Sequence, residues 1–508
     1  METNRAGQAE PAVEPGRRPP PLARRERVLL MTAAAALQVI AWLVILQLLS
    51  AVLGWGYDPR NISPDVAHYA DVATRVLLAP HQWPYSAFRF EYPPLSILLF
   101  ILPPVAGTLQ SYHQWFAAQM IAIDAITAVV TTAAAARIWN GLARPLVAAV
   151  ALAVAVVAMG AIAVEVFDGA VALVLAVAAA AAMRIWNGLG RPLVAAVALA
   201  LAVVAMGAIA VEVFDGAVAL VLAVAVLCLV YRRWTLAALT IGLGFGVKLM
   251  PIVLLPLVLV LARTRRSALW ALLTGVVAAV VPFMPFLVHD EGGVRSSLFG
   301  AQIGRGLQIE SVAASPYLVA ELIHRGAVTV AVPPGGSLTI AAAGTGLVER
   351  LAPLTVLLLL AVVYRAVWHA REELRGSPEG IPVAALAAIL AAMCGNKVLS
   401  PQHLLWILPL VALCLVSREL LPRIAAVLLL CAMVLTQVEF PGMYYRQIDL
   451  DPAPLMVISA RNGLLLAAFA LTVAAVWRLR SPEPAAVAVR LDSPPSVVRR
   501  DGASPAAT

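Results

Sequence analysis

Most of the side chains that could do chemistry in this 508-residue chain fall in one stretch, residues 62–94. The stretch follows the first apolar segment and interrupts a sequence dominated by alanine, valine and leucine. Its titratable and aromatic residues are Asp65, His68, Tyr69, Asp71, Tyr85, Arg89, Glu91 and Tyr92. Polar groups concentrated in one loop beside a membrane segment indicate a site at the membrane surface that acts on something lipid-linked.

Asp65 is the leading candidate acid of this loop. A carboxylate there could remove the proton of an acceptor hydroxyl during group transfer, an effect worth about 10²–10⁴-fold in rate. The tripeptide at 63–65 is Ser-Pro-Asp, which also suits a helix start with Asp65 as the N-cap. Position alone leaves both roles open. Asp71 lies further along, off the same helical face, and is the weaker candidate.

Only two of the 36 basic residues are lysines, Lys248 and Lys397. Each falls at the end of an apolar segment beside a proline-interrupted turn, in the sequences GFGVKLMP and GNKVLSPQH. Ammonium groups at that depth can bind a phosphate or diphosphate as compact point charges. The alternative is that each lysine only extends its charge to the membrane interface. Phosphate binding is favoured, because such turns would line a cavity.

A second set of polar candidates lies far from the first loop in sequence. The sequence GRGLQIES at 304–311 places a polar cluster in a second outer loop, where it could hold a sugar or a phosphate or simply be solvated. The cluster consists of Arg305, Gln308, Glu310 and Ser311. In the sequence SPQHLLW, His403 follows Gln402 and could orient an acceptor or donate a proton. The alternative for His403 is an interfacial ring whose hydrogen bonds are met by the backbone.

Two further charged residues have open roles. Glu91 precedes Tyr92 and two prolines that fix an extended turn, so it could be structural or could bind sugar hydroxyls. Arg461 lies with Asn462 inside the last apolar run, where an ionisable residue is functional by default. The partner of Arg461 does not follow from the sequence.

Composition excludes a soluble globular protein, since 62% of the residues are hydrophobic, 13% are charged and the mean hydropathy is +0.90. The net charge of +8 indicates arginines at the cytoplasmic ends of helices rather than a nucleic-acid partner. All cysteines fall in apolar segments without CxxC spacing, so neither a disulfide nor a thiol metal site is expected. They are Cys228, Cys394, Cys414 and Cys431.

Apolar runs that approach or exceed about 20 residues predict an all-α polytopic membrane protein with about 14 transmembrane helices. The predicted spans are 28–53, 113–136, 145–165, 169–183, 192–213, 216–231, 234–247, 249–262, 267–288, 351–370, 381–395, 403–417, 420–438 and 453–477. The run 95–109 is short and broken by two prolines, and treating it as a helix that does not cross places the arginine-rich loops inside.

This predicted topology defines the domains and the side of the membrane on which the site lies. A disordered tail at 1–27 and another at 478–508 lie in the cytoplasm, and a membrane domain at 28–477 lies between them. Two large outer loops, about 54–112 and 289–350, carry most of the candidate residues. We therefore expect a multi-pass protein of the cell membrane with both termini cytoplasmic and a site on the extracytoplasmic side.

Residues 137–178 recur almost unchanged at 184–225, and only two positions differ between the copies. Such identity indicates a recent tandem copy of a gene segment. Each copy carries two short spans, so one copy is expected to be dispensable, which leaves 12 spans plus a duplicated hairpin. Asp168 and Asp215 are equivalent acids, and Asp215 lies in the copy that continues into the Lys248 motif.

The chain resembles the GT-C superfamily of integral membrane glycosyltransferases. Within it, the chain is most similar to the bacterial polyprenyl-phosphate-mannose-dependent α-mannosyltransferases. Four ordered motifs carry this resemblance: SPDVAHYADVA with PYSAFRFEYPPL (63–95), FDGAVALVLAV with GLGFGVKLMPIVLLP (214–256), GRGLQIES (304–311) and NKVLSPQHLLWILP (396–409). Together they extend over most of the membrane body, and they are fairly specific for the superfamily and poorly specific for the substrate.

The resemblance implies transfer of a sugar, with mannose favoured, from a polyprenyl phosphate to a glycan, glycolipid or protein of the cell envelope. It implies that Asp65 is the catalytic base and that Lys248, Lys397 and His403 lie near the donor phosphate and the reacting centre. It implies no cofactor or metal. Candidate substrate-binding or supporting residues are Tyr69, Glu91, Tyr92, Arg305, Glu310, Gln402 and His403.

Two other functions remain open on the sequence. A flippase or transporter of polyprenyl-linked glycans would also have many spans and intramembrane charges. A non-catalytic relative is the third possibility, and the duplicated hairpin adds weight to it. The acid-bearing outer loop favours the enzyme, because a transporter would distribute polar residues along a crossing pathway.

Overall fold

Apolar runs that end at arginine, glycine or proline fold into helices throughout the part of the chain that the structure describes. This computed structural model describes residues 24–44, 62–79, 82–139, 191–206, 209–332 and 337–479. Most of the predicted tails 1–27 and 478–508, and most of the first repeat copy at 137–178 with Asp168, lie outside these residues. The cytoplasmic position of the termini and the domain limits stay predictions.

The first half of the described chain contains short and medium helices and one long helix of 31 residues. The helices are α1 (Arg24–Val44), α2 (Pro64–Leu78), α3 (Ser96–Ile101), α4 (Leu109–Trp139), α5 (Arg191–Met206), α6 (Ile209–Glu212), α7 (Asp215–Val230) and α8 (Trp234–Val247). A 3-10 helix (Met250–Leu254) then leads into α9 (Leu255–Leu261).

The second half contains longer helices and a small hairpin. A helical stretch runs through α10 (Arg265–Val280), a 3-10 turn (Val281–Phe283), α11 (Met284–Val294), a π-helical turn (Arg295–Gly300) and α12 (Ala301–Gly304). A 3-10 turn (Val312–Ala314), α13 (Ser315–Ile323), β1 (Thr329–Ala331) and β2 (Thr339–Ala341) follow. The last elements are α14 (Thr345–His369), α15 (Arg371–Gly376), a 3-10 turn (Pro378–Gly380), α16 (Ile381–Gly395), a 3-10 helix (Pro401–Ile407), α17 (Leu408–Leu415), α18 (Leu420–Glu439), a 3-10 turn (Tyr445–Gln447) and α19 (Pro452–Arg478).

The all-α, polytopic class predicted from the sequence is confirmed. Among the described residues, six helical segments are long and apolar enough to cross a membrane, and further apolar helices are shorter. The six are Leu109–Trp139, Arg265–Gly304, Thr345–His369, Pro378–Gly395, Leu420–Glu439 and Pro452–Arg478. The total of 14 spans stays a prediction.

The centre of the bundle is the alanine-rich helix α16. All of its residues, Ile381–Gly395, are buried, because small side chains let neighbouring helices approach closely. A Cβ at Gly395 would lie 3.0 Å from the Val356 backbone, so α14 passes directly over the end of α16. Helix α14 exposes Leu347, Leu354 and Leu357 on its other side, which is the pattern of a helix that faces lipid.

The run 95–109 contains only the six-residue helix α3. A helix of this length spans roughly 9 Å, which is too short to cross the hydrocarbon core. This agrees with the prediction that the run does not cross. Helix α4 then begins at Leu109 and packs against α5 and α7, which both belong to the second repeat copy. Helices of the second copy therefore pack within the described bundle.

The helical stretch that begins at Arg265 extends further than the sequence predicts. Residues 289–304, expected to open the second outer loop, continue as helix to Gly304, with a kink at Asp290. The whole stretch has 40 residues and would measure roughly 60 Å, about twice the hydrocarbon thickness. The stretch is therefore longer than one crossing requires. After it, the antiparallel pair of β1 and β2 packs with α13 and the start of α19 in a second small core.

Helices α8 and α10 cross at a pair of glycines, Gly242 and Gly275. A Cβ on Gly242 would lie only 2.3 Å from the Gly275 carbonyl oxygen, so the two backbones are in direct contact. Close backbone approach at small residues is a main source of association between membrane helices.

We predict that Gly242→Ala forces α8 and α10 apart and destabilises the protein by about 1–3 kcal/mol, the usual cost of overpacking. The measurement is the Tm in detergent. The matched control is Gly463→Ala in α19, where nothing lies within 4 Å of the new Cβ. A Tm loss for Gly242→Ala that is no larger than for the control would contradict the close crossing.

Candidate active site

The start of helix α2 decides the structural role of Asp65. The N-cap is Ser63, whose Oγ accepts a hydrogen bond from the Val66 backbone N–H at 3.3 Å. Asp65 follows in the first turn, and the interpretation of Asp65 as the N-cap is wrong. The sequence could not decide whether Ser63 or Asp65 is the N-cap, since serine and aspartate both cap helices well. The Asp65 carboxylate is therefore available for another role.

The surroundings of Asp65 favour a carboxylate that accepts protons more readily than usual. Its pKa is raised by burial first and by the negative charge of Asp215 second, while Lys248 and His68 lower it. A raised pKa brings a carboxylate closer to the strength that general bases need near neutral pH.

Asp71, the weaker acid candidate, lies on the exposed side of α2. Its carboxylate forms an ion pair with Arg75 at 2.9 Å, and both side chains are about half exposed. Such a surface pair contributes little to stability. The two acids of α2 thus differ in surroundings, which makes Asp71 a natural control for Asp65.

Lys248 forms an ion pair that the sequence analysis did not predict. Its Nζ lies 3.1 Å and 3.2 Å from the two carboxylate oxygens of Asp215. Asp215 is 1% exposed and also accepts a hydrogen bond from Trp406 Nε1 at 2.5 Å. Helix α7 supplies Asp215 at its first residue, and Lys248 follows the last residue of α8. The pair therefore joins two helix ends at the same level of the bundle.

Aromatic rings surround the ammonium group of Lys248. The Nζ lies 4.4 Å from the Phe214 ring centroid and 5.8 Å from the centroids of Tyr92 and Trp406. Rings at these distances attract a cation through their electron-rich faces. Lys248 is 18% exposed, so the group is partly open. It lies within electrostatic range of Asp65 and His403.

The two candidate tyrosines are held in an aromatic cluster. Tyr69 is 2% exposed and stacks on Phe100 with 4.4 Å between ring centroids. The Tyr92 carbonyl accepts a hydrogen bond from the Tyr85 hydroxyl at 2.6 Å, which fixes the turn before the two prolines. Burial raises the pKa of both Tyr69 and Tyr92, so the phenols stay neutral. Tyr69 supports the wall of the site, and Tyr92 faces Lys248.

Glu91 connects the two outer loops. Its carboxylate pairs with Arg89 at 2.8 Å and with Arg305 at 3.1 Å. Arg305 comes from the sequence GRGLQIES, so the structure brings the first and third motifs together. Both members of the Glu91–Arg305 pair are about one-third exposed and lie at the rim rather than in the core.

Gln308 connects the third motif to the fourth. Its backbone N–H donates to the Lys397 carbonyl at 3.0 Å, and its side-chain Oε1 accepts from the Leu399 N–H at 3.0 Å. Its Nε2 donates to Ser400 Oγ at 3.1 Å and to Glu310 Oε2 at 2.5 Å. Gln308 and Glu310 are each 1% exposed, so the interpretation of these two residues as solvated is wrong.

Lys397 has surroundings unlike those of Lys248. Its Nζ donates to the Ile303 carbonyl at 2.8 Å, and the side chain is half-buried. The pKa of Lys397 is lowered by burial first, raised by Glu349 and lowered again by the positive charge of Arg305. Lys397 and Arg305 are thus two neighbouring cations, and an anion would relieve their repulsion.

His403 lies between these two groups of charges. Its Nδ1 accepts a hydrogen bond from the Ser400 backbone N–H at 3.2 Å, so a neutral ring carries its proton on Nε2. The ring stacks on Trp406 with 4.2 Å between centroids. The backbone therefore satisfies one ring nitrogen, and the other can act as a donor. Gln402 precedes it in the same 3-10 helix and is half-exposed.

Arg461 of α19 has the partners that the sequence could not identify. It is fully buried and forms an ion pair with Glu439 of α18, with 3.5 Å between Nη1 and Oε2. Its Nη2 donates to the Glu310 carbonyl, and Asn462 Nδ2 donates to the Ser311 carbonyl at 3.0 Å. Arg461 therefore attaches the second outer loop to two membrane helices.

Sequence reasoning missed Asp215 and Trp406 as site residues, and missed Glu439 as the partner of Arg461. Asp215 stood in a quoted motif, and an acid between two apolar segments was a usable signal. Trp406 gave no such signal, because a tryptophan in an apolar run suits any core. In the described part of the chain, no group of three or more His, Cys, Asp and Glu side chains could hold a metal ion.

Comparison with known proteins supports one assignment. Residues 169–394 match the family model of glycosyltransferase family 87. The matched residues make up somewhat less than half of the chain, and the match agrees with the resemblance drawn from the motifs. A search of curated proteins finds no match. The crystal structure of ArnT from Cupriavidus metallidurans bound to undecaprenyl phosphate is similar at 15% identity and a TM-score of 0.37, over 90% of this chain and 78% of that chain. A likeness at this TM-score supports no conclusion here.

We predict that Arg461→Met destabilises the protein by about 3–5 kcal/mol, because it leaves the buried Glu439 carboxylate without its opposite charge. The matched control is Arg446→Met, which breaks an exposed ion pair with Asp451 and should cost at most about 1 kcal/mol. Thermal unfolding in detergent measures both. Equal Tm values for the two variants would show that the buried network does not hold the outer loop.

Proposed function

We propose that this protein transfers a sugar from a polyprenyl-phosphate donor to an acceptor hydroxyl on the extracytoplasmic side of the cell membrane, with Asp65 as the general base. One observation carries the proposal: the half-buried Asp65 carboxylate is not the N-cap, which is Ser63, and it lies within electrostatic range of the Lys248–Asp215 ion pair. The match to glycosyltransferase family 87 supports the reaction class. Mannose is the sugar we favour, and a glycan, glycolipid or protein of the envelope is the acceptor class.

The proposed reaction is a single displacement. Asp65 accepts the proton of the acceptor hydroxyl while the hydroxyl oxygen bonds to the anomeric carbon of the sugar. The bond from this carbon to the phosphate oxygen breaks, and its electron pair leaves with the polyprenyl phosphate. The total charge is unchanged, because the proton neutralises the Asp65 carboxylate while the departing phosphate gains one negative charge. The raised pKa of Asp65 suits this role, because a stronger base removes the proton earlier along the reaction.

Lys397 and Lys248 are the cations that we propose for the donor phosphate. Lys397 is the stronger candidate of the two, because its ammonium bonds to the Ile303 carbonyl and forms no ion pair with a carboxylate among the described residues. Glu349 acts on it only electrostatically, and Arg305 adds a second positive charge nearby. The Lys248 charge is largely balanced by Asp215. One ammonium has three N–H donors, so Lys248 can still offer one to the phosphate.

The remaining candidates have supporting parts in this scheme. His403 can donate its Nε2 proton to the leaving phosphate or orient the acceptor, and Gln402 lies beside it. Glu91, Tyr92 and Arg305 are placed to contact sugar hydroxyls near the reacting centre. Two buried residues, Tyr69 and Glu310, hold the wall and the second outer loop in position. No metal or cofactor has a role in this scheme.

We predict that Asp65→Asn abolishes sugar transfer, whereas Asp71→Asn in the same helix retains it. The amide cannot accept the hydroxyl proton, and loss of a general base costs about 10²–10⁴-fold. Purified protein would be assayed with polyprenyl-phosphate mannose and a panel of acceptors, after the Tm shows that the variants fold. Transfer that survives Asp65→Asn would rule out Asp65 as the base. Movement of lipid by the wild type without any transfer would favour a flippase instead.

We predict that Lys397→Met raises the KM for the polyprenyl-phosphate donor about ten- to a hundredfold. The physical reason is the loss of one charge-assisted contact, worth about 1.5–3 kcal/mol. The matched control is Arg325→Met, which also removes a cation bonded to a backbone carbonyl, that of Leu450, but one outside the candidate site. Steady-state kinetics at varied donor concentration make the comparison. An unchanged donor KM for Lys397→Met would remove this lysine from the phosphate site.

A further inference from the structure

Two carboxylates compete for the ammonium group of Lys248. Asp215 binds it through both oxygens, at 3.1 Å and 3.2 Å, and Asp65 acts on it electrostatically without a hydrogen bond in the structure. A single ammonium group that pairs fully with one acid leaves the other acid free. The choice between the two partners therefore determines whether Asp65 can work as a base.

Trp406 biases this choice toward Asp215. Its indole N–H donates to Asp215 Oδ1 at 2.5 Å, and this bond fixes the carboxylate in a position that is 1% exposed. The rings of Phe214, Tyr92 and Trp406 lie around the Lys248 Nζ. Moving the ammonium toward Asp65 would give up the ion pair with Asp215.

We propose that Asp215 is a positioning residue for the transfer reaction: its buried carboxylate holds the Lys248 ammonium among the three aromatic rings and keeps it from pairing with Asp65. This inference rests on the proposed function, in which Asp65 is the base. It adds a residue that acts through Lys248 and touches neither donor nor acceptor. The role explains why an acid stands at the first residue of α7, where only apolar neighbours follow it.

Removal of the Asp215 charge is expected to lower the pKa of Asp65 in two ways. The negative charge that raises the pKa of Asp65 disappears, and Lys248, which lowers that pKa, loses its competing partner. The titratable groups that act on Asp65 or are acted on by it come from several elements. They are His68 and Tyr69 of α2, Tyr92, Glu212 of α6, Asp215 of α7 and Lys248.

The test is the pH profile of transfer for Asp215→Asn. Asparagine keeps the shape and an oxygen that can accept from Trp406, so the variant should fold. We expect the acid limb of kcat/KM to move to lower pH by about one unit, the usual spread of carboxyl pKa values in proteins. We also expect the plateau rate to fall at least tenfold, because Lys248 then occupies the base. An acid limb that stays in place or moves to higher pH would overturn the proposal.

Trp406→Phe is the second variant. It removes the hydrogen bond to Asp215 but keeps the carboxylate and its charge, so the acid limb should stay where the wild type has it. A merely structural role for Asp215 predicts similar profiles for both variants, with lower Tm values as the only change. A shift of the acid limb in Asp215→Asn alone therefore separates positioning from stability. The fall in the plateau rate separates positioning of Lys248 from the direct effect of the Asp215 charge, and an unchanged plateau rate would overturn the proposal.

An infrared titration keeps the test independent of activity. The carboxyl band that Asp65→Asn removes belongs to Asp65, and its pH midpoint can be read with and without Asp215. A midpoint that falls in Asp215→Asn supports the proposal even if the donor and acceptors are wrong. A midpoint that does not fall overturns it. Absence of transfer by the wild type, with a falling midpoint, would count against the proposed function alone.

Discussion

The ion pair between Lys248 and Asp215 determines how the helix ends around the site must meet. A lone ammonium or carboxylate in apolar surroundings costs several kcal/mol, so each residue requires the other. Asp215 is the first residue of α7 and Lys248 follows the last residue of α8, and the hydrogen bond from Trp406 adds the 3-10 helix Pro401–Ile407 to the same point. Three segments that are distant in sequence are thereby fixed at one level. The pKa of Asp65 depends on this arrangement, because Asp215 raises it and Lys248 lowers it.

A second ion pair, between the buried side chains of Arg461 and Glu439, fixes the position of the second outer loop. Through the Glu310 carbonyl it holds the second outer loop against α18 and α19, and Gln308 extends the connection to the loop that carries Lys397. The outer loops therefore do not need a large core of their own. Buried polar groups set the position of these loops, because a donor or acceptor away from water must find its hydrogen-bond partner within the protein.

The sequence predicted helices well and contacts between helices poorly. The spans 234–247 and 381–395 coincide with α8 and α16, because apolar length and flanking arginines, glycines and prolines act locally. The same local signals could not decide between Ser63 and Asp65 as the N-cap of α2, since both residue types suit that place. Lys248 was identified as a charge with a function, yet its partner Asp215 was not. Such pairings depend on how two helices cross, which one sequence does not contain.

Trp406 has a consequence for how this site can be observed. Its indole is hydrogen-bonded to one charge, Asp215, and lies 5.8 Å by its ring centroid from a second, the Lys248 ammonium. The colour of indole emission depends on the electric field along the ring, so this chromophore senses the ion pair directly. The protein has 11 tryptophans. Among those that the structure describes, Trp406 is the one whose ring lies against the Lys248 ammonium. Difference fluorescence against Trp406→Phe would therefore isolate an intrinsic optical signal of the centre, without any added label.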